Sequence, residues 1–382
     1  MITPRQMNLF SSPVAEMYQA LELEIIKQVA TRLKVKGEVD ITDWQLQKMK
    51  ELNLLNRDLS TYLSKFGEIA KEEIDNYVKV SGHDLIEDTD EFFKANGYVQ
   101  AGPSNITDRV LESYSNQMFR ELDNHVNQTL ITTNYGTGPV TAKYQKLIGE
   151  VQAKYSTGLI TLDKAVEQAV TQWAKDGIKS TFIDKGGHTW SLERYVDTVL
   201  KSTNARIYND IRTSRMSDYG CTTVRVSQKA NARPECAHIQ GRVVDISRER
   251  LNVDYPNVYD YEYGKPGGHR GVNCGHFWVP FIPGVNIERE PMFPPETAIE
   301  NAKVEAGRKL LARRIRKTKK MVSVTEALDS EGQSYYKDQL KRQQARMREY
   351  VKEHNLTRVY RFEKVYTPLE TLLKEYKEQA ND

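Results

Sequence analysis

The sequence predicts a mainly α protein with a small central α+β module. A helical N-terminal region leads to short antiparallel strands around a Cys/His-bearing loop region, and a helical C-terminal region follows. Three observations predict this. Apolar residues recur at three- and four-residue steps through most of the first 220 positions and again from Pro295 onward. Between those stretches, from Thr223 to Ile282, the period switches to two in short runs. The same interval contains a loop rich in tyrosine, glycine and proline, Asn252 to Gly275, and the densest Cys/His constellation of the chain.

The first helix is expected from about Ser11 to Leu33, where Val14, Met17, Leu21, Ile25, Val29 and Leu33 make one apolar stripe. Ser11 or Ser12 supplies the cap and Pro13 a first-turn proline. A second helical stretch opens at Thr42, with Leu46, Met49, Leu52, Leu55 and Leu59 on one face. Helical patterns continue through Phe66 to Val78 and Ile106 to Thr133, and Asn134 to Pro139 is a turn cluster between helices. Gln145 to Ser156 is helical. Thr161 caps the next helix, whose buried stripe is Leu162, Val166, Ala169, Val170 and Trp173 and whose C-terminal cap is Gly177. Gly186-Gly187 marks a loop. Ser191 caps a long helix carrying Tyr195, Val199, Ile207, Tyr208, Ile211 and Met216, which stops near Gly220. Strands are expected at Thr223 to Ser227, Gly241 to Ile246 and Phe277 to Ile282, the last at a sheet edge because of Pro280. Helices return at Pro295 to Lys320, Glu331 to His354 and Pro368 to Glu378. The expected organisation is three regions: residues 1–150, 157–285 and 295–382.

A chain of 382 residues fits two or three folding units at ~100–200 residues each. With 39% hydrophobic and 28% charged residues, it reads as a soluble, helix-rich protein. No stretch approaches the ~20 apolar residues that span a bilayer, so no membrane partner is expected. Met1 to Phe10 has no basic cluster followed by an apolar core, so no secretory signal is expected. Three cysteines make no secreted disulfide framework, and a reducing compartment, the cytoplasm, is the expectation.

The central constellation comprises Cys236-Ala-His238, Gly264 to His269, and Asn273-Cys-Gly-His276. In extended chain, residues i and i+2 point the same way. Cys236 with His238, and Cys274 with His276, would then present four ligand atoms, a set that suits a structural, tetrahedral zinc ion (Zn2+). Two other readings stand beside it: buried thiols with hydrogen-bonded histidines, and a disulfide. His269, among glycines, is a fifth candidate, and Cys221 is expected in the core. A catalytic metal would need a nearby general base; Asp245 and Glu235 are available carboxylates, and nothing in their spacing singles them out.

The net charge is only +3, but it hides a basic run from Lys303 to Lys320. There Arg308, Lys309, Arg313, Arg314, Arg316, Lys317, Lys319 and Lys320 offer a phosphate-binding face by charge neutralisation and counterion release. The bland alternative is a solvated face docked on an acidic protein patch. Few aromatics interleave, so base stacking is not expected. The tyrosine-rich segment Tyr255 to Tyr263 is either a contact loop or packed on its own module.

At these residues the chain resembles the phage minor capsid protein 2 group, related to the MuF-like head morphogenesis proteins. The resembling elements are Tyr219 to Ser227, Ala232 to Gly241, Tyr263 to Gly268, Asn273 to His276 and Pro280 to Gly284, in matching order and spacing, within a stretch from about Thr157 to Tyr366. Before position 150 the likeness is only in being helical. The resemblance implies a virion component in few copies, inside the head near the portal, that assists head assembly. It implies the portal protein and other head proteins as partners and a part in DNA packaging or ejection, and it brings no catalytic residues; genomic DNA as a partner is the expectation from the basic run. Two departures stand out: Lys229 follows Gln228 where a histidine is common near the end of the first strand, and Cys236 stands where histidine is common. The leading expectation is a non-enzymatic structural protein of the phage head. A zinc-dependent nuclease or processing enzyme and a DNA-binding module without capsid function are the rivals.

Overall fold

The computed structural model describes residues 12–104, 106, 108–130, 139–183, 189–265, 267–271 and 274–366. The expected turn at 134–138, the Gly186-Gly187 loop and the last helix from Pro368 lie outside the described residues, as does Asn273. Helix α1 is Ser12–Leu33, and its six stripe residues are all buried. Helix α2 runs unbroken over Ile41–Ala95, joining stretches whose separate patterns suggested separate helices. Its 55 residues contain no proline, and glycines at 67 and 82 only weaken a helix rather than end it. The buried stripe is also phased differently from expectation. Trp44, Lys48, Leu55, Leu59, Leu63 and Phe66 face inward, while Leu46 and Met49 are exposed. Trp44, with more apolar surface than either, decides which face turns in.

Helices α3 (Asp108–Leu130), α4 (Pro139–Tyr155) and α5 (Leu162–Asp176) follow. The caps of α5 are those expected: the Thr161 hydroxyl accepts from the Lys164 amide, and Gly177 adopts φ +73°. A hairpin that periodicity did not reveal, β1 (Lys179–Ile183) with β2 (Thr189–Ser191), precedes the long helix α6 (Leu192–Asp218). The central sheet has three antiparallel strands, β3 (Thr223–Val226), β4 (Val243–Asp245) and β5 (Trp278–Pro280), in the order β4-β3-β5. Val224 pairs with Val244 on one side and Pro280 on the other, so Pro280 lies on an edge strand as expected. A one-turn helix, α7 (Pro234–Ala237), lies between β3 and β4. The chain closes with α8 (Pro295–Ala327) and α9 (Gly332–Glu353).

The described residues divide into two compact units. One gathers Lys71–Arg120 and Asp197–Gly307; the other gathers Val14–Ala70, Glu121–Val196 and the described part of Arg308–Asp382. Each of the three consecutive regions read from the sequence therefore contributes to both. In the first unit, Phe93 of α2 and Met216 of α6 join Val224, Val226, Val244, Trp278 and Ile282 in one core. Phe93 stacks on Tyr219 at 4.2 Å between ring centroids. In the second, Tyr18 of α1 meets Phe66 of α2 edge-on at 4.8 Å, and Ala312 and Ile315 of α8 pack on Met347 of α9.

Candidate functional site

The first unit carries the Cys/His segments. Cys236 lies in α7 and is fully buried; Cys274 and His276 lie on the segment leading into β5. The two sulfurs are 3.5 Å apart, and Cys274 Sγ is 3.6 Å from His276 Nδ1. The three ligand atoms lie within 4.8 Å of one another. All three cysteines are free thiols, and Cys221 packs against the sheet core. Gln240 Oε1 accepts the Lys229 amide at 2.9 Å and faces His276 Nε2 at 3.2 Å. That oxygen can only accept, so His276 carries its hydrogen on Nε2 and turns the Nδ1 lone pair toward Cys274.

His238 stands apart. It caps α7, is exposed, and is not in the close group. The physical reason is local. Cys236 sits in a helical turn, where a residue two positions on points about 200° away at 3.6 residues per turn. The alternation that pairs i with i+2 holds for extended chain, as at Cys274 and His276.

His269 is also outside the close group, but it is buried beside it. It is fully buried, and its Nε2 accepts the Trp278 indole N–H at 3.1 Å. Its ring centroid is 6.2 Å from that of His276, and its Nδ1 is buried with no hydrogen-bond partner among the described residues. Gly268 makes this placement feasible, because a Cβ there would stand 2.0 Å from the Glu262 carbonyl oxygen. Arg233 ties the parts together: its Nε donates to Cys236 Sγ at 3.4 Å and its Nη2 to the Gly268 carbonyl at 2.6 Å.

The electrostatics are unequal. The hydrogen bond with Cys236 holds the Cys274 thiol far below its ordinary range despite burial, and His276 adds to this. The same hydrogen bond, with burial, pushes Cys236 up. Burial pushes His269 down to about 3, so its imidazole is neutral near pH 7. The carboxylates weighed as bases are engaged elsewhere. Asp245 is fully buried and accepts from the Ser247 hydroxyl at 2.6 Å and from the Ser247 amide at 3.1 Å. Glu235 is exposed and faces Arg233 at 3.7 Å.

The basic run lies on α8, and the structure sorts its members. Arg308 is buried, donates to the Thr357 carbonyl at 3.1 Å and covers the Phe362 ring. Lys320 pairs at 3.4 Å with buried Glu22 of α1, whose other oxygen accepts the Ile178 amide. These two serve the packing of the second unit. Arg316 and Lys319 are half-buried. Lys309, Arg313, Arg314 and Lys317 are exposed, and Lys309, Arg313 and Lys317 recur every four residues along one face. The tyrosine-rich loop packs on its own module: Tyr255 meets Phe281, and Tyr263 meets Tyr259 and Trp278.

Among the described residues no helix is long and apolar enough to cross a membrane. No solved structure matches the chain. A structural protein of Lactococcus phage LL-H is 33% identical over 344 residues, which cover 88% of this chain and 93% of that protein. A structural protein of Lactococcus phage mv4 is 33% identical over 118 residues, 30% of this chain and 96% of that protein. The family model described as phage minor capsid protein 2 matches residues 2–352, taking in the N-terminal helices as well as the central module. Helical frame, small sheet and Cys/His segments are thus spanned by a single match, and the chain belongs to the phage minor capsid protein 2 family of virion structural proteins.

Proposed function

We propose that the protein acts by contact, as a minor component that helps build the phage head at the portal vertex. In this reading its helices dock on the portal and other head proteins, and the exposed stripe of α8 faces the packaged DNA. The observation that carries the reading is the near-full-length match to a phage structural protein. The DNA part is supported by Lys309, Arg313, Arg314 and Lys317, four exposed cations on a helix where Arg308 and Lys320 are drawn into packing. Assembly without turnover is supported by the placement of Asp245 and Glu235. One is held in a buried hydrogen-bond network and the other lies against a guanidinium. The particle assembles in the host cytoplasm and carries the protein in the head interior.

Co-expression with the portal protein, followed by affinity capture and size-exclusion chromatography, tests the docking. A stable complex, and the chain's presence in purified heads, are expected. Heads that assemble and package normally without it, together with no portal complex, would overturn the reading. Cleavage of nucleic acid or head protein by the pure chain, lost in a Cys274→Ala variant that keeps its fold, would replace it with an enzymatic one.

A further inference from the structure

We propose that Cys236, Cys274 and His276 form a binding site for a thiophilic, tetrahedral metal ion of the zinc class, with His269 as its fourth donor. The distances carry this. A tetrahedral ion with bonds of about 2.3 Å to sulfur and 2.0–2.1 Å to nitrogen needs sulfurs about 3.8 Å apart, and a sulfur and nitrogen about 3.6 Å apart. The structure holds Cys236 Sγ and Cys274 Sγ at 3.5 Å, and Cys274 Sγ and His276 Nδ1 at 3.6 Å. These two edges match the required tetrahedron to within a few tenths of an ångström, and all three donor atoms lie within 4.8 Å of one another. They are far from the ~2.03–2.05 Å of a disulfide bond.

The surroundings fit as well. Gln240 fixes the hydrogen of His276 on Nε2, the outer hydrogen bond that orients a metal-ligating histidine. The Arg233 N–H pointing at Cys236 Sγ is the kind of donor that stabilises a thiolate. Two thiolates and two neutral imidazoles leave a dication with no net charge, which suits a buried position.

His269 is the fourth donor on separate grounds: it stands outside the group of three and its ring must move toward the ion on binding. Its Nδ1 is a buried polar atom with no hydrogen-bond partner among the described residues, and a metal ion beside it would satisfy it. Ligation through Nδ1 moves the ring hydrogen to Nε2 and ends acceptance of the Trp278 indole N–H. The indole hydrogen bond must then shift. The bound ion would join α7, the loop after Gly268 and the entry to β5, three segments of a module whose strands are only three or four residues long.

The test uses the full chain, purified under reducing conditions without chelators. Metal analysis is expected to find one zinc per chain. Cobalt(II) substitution is expected to give the intense visible bands of tetrahedral coordination and a thiolate charge-transfer band. Cys236→Ser and Cys274→Ser should abolish both features while circular dichroism stays helical, and His238→Ala should leave them unchanged. His269→Ala should weaken zinc at least tenfold in competition with a chromophoric chelator. A folded, reduced wild-type chain that takes up neither ion would overturn the site. So would an unchanged cobalt spectrum in Cys274→Ser, or a Cys236–Cys274 disulfide in protein alkylated at lysis. Unchanged affinity in His269→Ala would overturn the fourth-donor assignment.

Discussion

Arg215 of α6 grips Asp90 of α2 with two parallel bonds, Nε to Oδ1 at 2.5 Å and Nη2 to Oδ2 at 2.9 Å. The guanidinium is 2% exposed and also bonds Asp218 and the Gly102 carbonyl. One turn earlier, Arg212 pairs with Asp88 and joins α6 to α2 a second time. Removing one partner of such a pair leaves a buried charge uncompensated, which costs about 3–5 kcal/mol. Asp218 and the Gly102 carbonyl still hold the guanidinium, so Asp90→Ala is expected to lose about 3 kcal/mol, the lower end of that range, in chemical denaturation. Arg215→Met strands two part-buried carboxylates, Asp90 and Asp218, and is expected to lose at least as much.

The sorting of the basic run gives a paired expectation. Changing Lys309, Arg313, Arg314 and Lys317 together to Gln should weaken duplex DNA binding. The plot of log affinity against log salt should become shallower by roughly 0.9 for each phosphate that is no longer neutralised. Arg308→Ala should leave that slope unchanged and lower stability by about 1.5–3 kcal/mol, the usual worth of a charged hydrogen bond. Fluorescence anisotropy across a salt series, with melting curves alongside, separates the two. An equal effect of both variants on the slope would show that the exposed stripe is not where DNA binds.

Gly268→Ala places a Cβ 2.0 Å from the Glu262 carbonyl oxygen, so the backbone must yield. Overpacking of this kind costs about 1–3 kcal/mol. The expected signature is a lower melting temperature together with increased reactivity of Cys236 and Cys274 toward a thiol reagent, since Arg233 holds both Cys236 and the Gly268 carbonyl.

Asp245 predicts an acid limb. Burial pushes its carboxyl up, but hydrogen bonds from Ser247, with Thr222 and Asn252, outweigh that and hold it below the usual range. The folded chain then binds fewer protons at this site than the unfolded chain in acid. The stabilisation is complete above the unfolded value of about 3.9 and fades as pH falls through the folded value. Asp245→Asn should cost stability near neutrality, and the gap from the wild type should narrow only below about pH 4. Urea titrations at stepped pH measure it; a gap that stays constant into strong acid would contradict the assignment.

The sequence made some of this legible because the signals were local. Thr161 and Gly177 mark the ends of α5 by their own chemistry, and Pro280 excludes a central strand by its missing N–H. Other features depended on information that periodicity does not hold. Nothing in the stripe Leu46, Met49, Leu52 reveals that Trp44 will claim the buried face. The candidate site divided along the same line. Cys274 and His276 were readable because their segment is extended, whereas pairing Cys236 with His238 assumed extension where Pro234 starts a helical turn. His269 reaches the interior through a close backbone pass at Gly268 that no spacing rule encodes.

The central sheet has a consequence for how partners engage this module. Its outer strands are three residues each; Pro280 lacks an amide hydrogen on one border, and on the other the Asp245 amide is already spent on the Pro256 carbonyl, beside a bridge to Asn257. A visiting strand meets only a short, interrupted ladder on either side, which disfavours recognition by β-augmentation here. A partner engaging this face would read it mainly through side chains, which would make its specificity editable residue by residue without disturbing the backbone.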